Sequence, residues 1–143
     1  MHVNDDELKA MVDEIFRPVK ELAEDLVKER ARHQRVMLQI TTKPAREIWE
    51  RVKNVNSICP EVIVLKSSLQ DLMEVVDQQM KLLEDLENLN FIDNPDAEYQ
   101  IMSMDMCREQ LENRAKTSEL CLKTVLTPYT VGKLVEEMHR QGI

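Results

Sequence analysis

Glycine is almost missing from this chain. Only Gly132 and Gly142 occur in 143 residues, and aromatic side chains make up 3%. Sandwiches, barrels and α/β folds need glycine-bearing turns and aromatic-rich strands, so the composition argues against all three. It also leaves no material for a glycine-rich phosphate loop. Cysteine is scarce too. Cys59, Cys107 and Cys121 are an odd number with no metal-like spacing, which implies reduced thiols and a cytosolic or nuclear setting. There is no long hydrophobic run of the ~20 residues that a bilayer span requires. The opening MHVNDDELKA is polar and acidic, unlike a signal peptide. Nor is there a basic excess. Lysine and arginine total 19 against 27 acidic residues, a net charge of -8, so nucleic acid is not an expected partner.

Catalytic constellations are equally thin. No Ser/His/Asp or Cys/His set stands out for nucleophilic chemistry. Glu136-Glu137-Met138-His139 contains an E-x-x-H match, but di-iron bundles need two such matches plus two further glutamates. Glu29 and His33 do not supply the second, being four apart instead of three. Neither an enzyme nor a cofactor nor a bound metal is expected.

What remains is abundant and of one kind: 43% hydrophobic side chains, mostly Leu, Val, Ile and Met at helical spacing. Leu8, Val12, Ile15, Val19, Leu22, Leu26, Glu29, His33, Val36 and Ile40 follow an unbroken alternation of four and three. This is a heptad row of about five repeats. Phe16, Ala23, Val27 and Met37 widen it, which suits a bundle better than a two-stranded coil. Asn4 or Asp5 can cap the start, and Pro18 should bend the helix. TTKPAREIWERV reads as a fresh start, with Thr41 or Thr42 as cap and Pro44 in the first turn. A second row runs through Val62, Leu65, Leu69, Leu72, Val76, Gln79, Leu83 and Leu86. A weaker one runs through Ile101, Met104, Arg108, Leu111, Ala115, Ser118, Leu122 and Val125. Cys59-Pro60, Asn94-Pro95 and Thr127-Pro128 mark breaks.

These signals predict an all-α, elongated, coiled-coil-like bundle in a single domain over residues 1–143. Three long helices and two short ones are expected, near 5–41, 44–56, 61–89, 96–126 and 129–141. In composition and heptad content the chain resembles the small, acidic, helical subunits of multi-subunit scaffolds, such as kinetochore linkers or lysosome-biogenesis complexes. The resemblance implies assembly as a role and assigns no residue.

The expected function is therefore protein–protein assembly, as a non-catalytic subunit or adaptor that offers hydrophobic helical seams to other helices. A hetero-oligomer is expected ahead of a homo-oligomer. The candidate interface residues are Leu65, Leu69, Leu72, Val76, Gln79, Leu83 and Leu86, with Leu22, Leu26 and His33. Polar Gln79 on such a row either selects a partner and register or lies at the rim of a wide face. A self-contained bundle whose groove takes a partner's amphipathic helix is one alternative. Another is an anionic membrane, met by the basic run Lys28, Arg30, Arg32, Arg35, Lys43 and Arg46. That run can instead face the acidic stretch 71–98 inside the chain.

Overall fold

The computed structural model describes residues 4–143. They form four helices: α1 Asp5–Val52, α2 Pro60–Glu87, α3 Ala97–Val125 and α4 Pro128–Gln141. No strand occurs among the described residues. The all-α expectation holds, but the count changes from five helices to four. The first two expected helices are one, α1, 48 residues and so about 72 Å long.

Pro44, which read as a helix start, lies inside α1 together with Pro18. A proline in a helix interior costs about 3 kcal/mol or more. Packing on both sides of Pro44 offsets that cost. Leu38, Ala45 and Trp49 lie in register on one face and pack against Leu72, Met73 and Val76 of α2. A break at 41–44 would pull Ala45 and Trp49 out of that register. The hydroxyls of Thr41 and Thr42, which read as caps, instead donate to the Met37 and Leu38 carbonyls (2.9 and 2.6 Å). That is back-bonding within a helix, and it favours a bend over a stop.

The other boundaries follow their signals. Asn4 accepts from the Glu7 amide (2.7 Å), with Asp5, Asp6 and Glu7 in the first turn beside the positive end of the dipole. Pro60 occupies the first turn of α2 behind an extended Cys59. Thr127 caps α4 by accepting from the Thr130 amide (3.2 Å). Gly142 closes α4 at φ 72°, where a Cβ would be strained.

α2 is the centre of the molecule. α1 and α3 pack along it and hardly on each other, and α4 rests against its first turns. Its row Val62, Leu65, Leu69, Leu72, Val76, Leu83 and Leu86 is buried throughout. Val62, Leu65 and Leu69 join Val52, Val55 and Leu134 in the largest cluster, where α1, α2 and α4 meet. Leu83 and Leu86 close on Ala31 further along α1. The small Ala31 and Ala45 let α1 approach α2 closely.

α4 is fastened by polar contacts as well. The Gln141 side chain accepts from the Asn56 amide (3.0 Å) and donates to the Asn56 carbonyl (2.6 Å). Glu137 is buried. Ser57 Oγ donates to its Oε1 (2.7 Å), while its Oε2 has no partner. Ser57→Ala removes the only hydrogen bond shown to that carboxylate. The expected cost is roughly 2–3 kcal/mol. Glu137→Met in the same background should recover most of it, because the buried charge goes too. Urea unfolding of the single and double variants checks this. Additive losses would contradict it.

Candidate interaction site

The two stronger apolar rows meet opposite fates. The α2 row, including Leu65, Leu69, Leu72, Val76, Leu83 and Leu86, is covered by the chain's own helices. It is interior and not a free surface. The α1 row is outside. Leu8, Val12, Ile15, Val19, Leu22, Leu26, Val36 and Ile40 are all exposed, Ile15 by 67% and Leu22 by 60%. Met11, Phe16 and Met37 widen the exposed strip.

Helix geometry explains this. Residues advance roughly 100° each around an α-helix. The face of α1 that meets the body runs through Val27, Ala31, Leu38, Ala45, Trp49 and Val52. By that angle the exposed row lies roughly 140° away, nearly on the opposite side. α1 thus carries two apolar faces, and α2 covers one of them. Residues 5–23 go further, since every one of them is exposed. This stretch runs about 28 Å beyond the part of α1 that packs on the body.

Glu29 and His33, on the exposed row, are themselves exposed. They form no buried polar layer within the chain. Gln79 is half-buried, and its Oε1 has no partner. It borders a cavity of about 250 Å³ between α1, α2 and α3, lined also by Met37, Leu38, Leu83 and Arg108. Arg108 donates to Gln34 (3.3 Å), one of the links between α3 and α1. Gln79 therefore sits on the floor of a groove. The polar interruption gave no hint of this, because which helices flank it depends on long-range packing.

The basic run is largely engaged within the chain. Arg35 donates through Nε to Glu87 (2.7 Å), and Arg32 approaches the same carboxylate (3.6 Å). Arg46 pairs with Asp77 (2.7 Å). Lys28 pairs with Glu24 (2.7 Å), and that hydrogen bond holds the Glu24 carboxyl below its ordinary range. Basic α1 thus faces acidic α2, and Arg30 and Lys43 form no ion pair among the described residues.

The E-x-x-H residues are dispersed: Glu136 lies 3.7 Å from Lys133, and His139 is exposed. Among the described residues no three His, Cys, Asp or Glu side chains are placed to share a metal ion. No helix there is long and apolar enough to cross a membrane. No family model matches the chain, and neither a curated protein nor a solved structure matches it.

Proposed function

We propose that this protein is a non-catalytic assembly subunit or adaptor that docks helical partners on the outer row of α1. The observation that carries the reading is the exposed line from Leu8 to Ile40 on a helix whose other face already packs on α2. An exposed apolar strip of this extent on a soluble chain marks a contact surface. Each Leu or Val buried there stabilises a complex by roughly 1.5–3 kcal/mol.

Residues 5–23 add a physical reason. A helical stretch of that length with every residue exposed is marginal in water, because helices draw most of their stability from packing an amphipathic face. In the dilute chain, amides of residues 8–26 should exchange hydrogen quickly. In the assembled state they should be protected by at least about tenfold, or some 1.4 kcal/mol. Assembly that leaves those amides unprotected would defeat the reading. The groove at Gln79 supports a second reading, capture of an amphipathic helix between α1 and α3. Protection appearing at Met37 and Arg108, and not at 8–26, would favour it.

A further inference from the structure

We infer that the occupant of the α1 row is a second copy of this chain, lying antiparallel with its two-fold axis near Glu24. This rests on the assembly reading above and specifies its partner. It also departs from the hetero-oligomer suggested by bulk composition.

The first support is charge. Residues 5–25 contain eight acidic and three basic side chains, and residues 28–43 contain five basic and one acidic. α1 is therefore acidic at one end and basic in the middle. Lys28 and Arg35 turn to contacts within the chain, which leaves Arg30 and Lys43 without an ion pair among the described residues, and Arg32 largely exposed at 3.6 Å from Glu87. An antiparallel pair centred near residue 24 lays each acidic segment along the other copy's basic segment, twice. A parallel, in-register pair sets acid against acid and base against base over the whole length. It also stacks Glu29 on Glu29 and His33 on His33. Like charges so placed are destabilising, and opposite charges favour one alignment over its competitors.

The second support is register. Antiparallel coils place each member of the row opposite a member from the other end. Centred at residue 24, the row is its own complement: Leu8 meets Ile40, Val12 meets Val36, and Leu22 meets Leu26. All ten positions find a counterpart, and Glu29 and His33 face Val19 and Ile15, never each other's equivalents. Sliding the copies by one heptad strands either Leu8 and Val12 or Val36 and Ile40. On the flank, Phe16 comes within two residues, about 3 Å along the axis, of Arg30 of the other copy, in reach of a cation–π pairing made twice.

The third support is room. The row looks away from the body, so the two bodies fall on opposite sides and at opposite ends. The overlap from 8 to 40 is about 48 Å long, and at a helix width of ~10 Å it covers about 500 Å² in plan. That approaches the ~800 Å² per partner of a specific interface.

Cysteine pairing tests the geometry. In the full chain with Cys59, Cys107 and Cys121 replaced by serine, Leu8→Cys and Ile40→Cys are made separately. Circular dichroism confirms that each keeps its helix content. Under mild oxidation, the 1:1 mixture should give at least about tenfold more disulfide dimer than either variant alone, since like positions then lie far beyond the ~7 Å bridging limit. Self-linking of Leu8→Cys alone would overturn the proposal, because it requires a parallel pair. So would sedimentation of the unmodified chain as a monomer up to about 100 µM, where an affinity worth even 5–6 kcal/mol already registers. In that event the assembly reading survives separately if residues 8–26 are protected by a different helical protein. Reversing Arg30 and Arg32 to glutamate should weaken self-association by about tenfold or more. Reversing Glu14 and Glu21 to lysine in the same chain should restore it. Reversals without effect count against the charge argument and overturn the alignment.

Discussion

Leu72→Asp is expected to unfold the chain. From the sequence, Leu72 belongs to a row offered to a partner, and aspartate there should abolish assembly. The structure gives it a different role. Leu72 is 6% exposed and packs with Met73 and Val76 against Leu38, Ala45 and Trp49 of α1 and Leu122 of α3. Truncating a buried leucine alone costs about 2–5 kcal/mol. A carboxylate without a partner in the same place adds a penalty of comparable size. Together they approach the ~5–15 kcal/mol that separates a folded domain from its unfolded chain. Loss of the cooperative thermal transition, followed by circular dichroism, is the expected result. Asp71→Lys, one residue away and exposed, should stay within about 0.5 kcal/mol of the parent. A folded Leu72→Asp chain with normal melting would mean that the α2 row does not hold the three helices together.

The contrast between Leu72 and Leu22 also shows what the sequence made legible. Periodicity identified both rows, and capping residues placed most helix ends within a residue or two. Nothing local told which row would be interior. On α1 the stronger pattern, Leu8 through Ile40, is the outer one. The inner face runs through Val27, Ala31, Gln34, Leu38, Thr42, Ala45, Trp49 and Val52, and its small and polar members make it look weak. It is inner because it fits. α2 supplies the bulk, with Leu65, Leu69, Leu72 and Leu83, and alanines opposite bring the backbones together. Complementarity between faces is a property of pairs, and single-helix periodicity cannot register it. The same holds for Pro44. Its local signal is a helix start, and the helix continues because Leu38, Ala45 and Trp49 reach α2 only in one common register. Charge was more readable. The basic run on α1 and the acidic run on α2 meet at Arg35–Glu87 and Arg46–Asp77, since antiparallel neighbours bring those stretches side by side.

Leu22→Asp is expected to abolish association while leaving the monomer fold untouched. Leu22 lies in the stretch of α1 where every residue is exposed, and it touches none of the three core clusters. Aspartate there sacrifices only some helix propensity, about 0.5 kcal/mol, so the melting temperature should move by about 2 °C or less. Association loses far more. A leucine contributing roughly 1.5–3 kcal/mol at the interface is replaced by a charge that must be desolvated. In a symmetric pair the change counts twice, because Leu22 of each copy sits beside Leu26 of the other. A rise in dissociation constant of at least about 100-fold follows, measured by sedimentation equilibrium. Lys20→Asp is the control. It introduces the same side chain two residues away, but it points off the row, and it changes net charge by more than Leu22→Asp does. If acidity alone governed association, Lys20→Asp would be the more damaging substitution. If the outer row governs it, Leu22→Asp will be, and by a wide margin, because a residue's position around the helix then outweighs its charge.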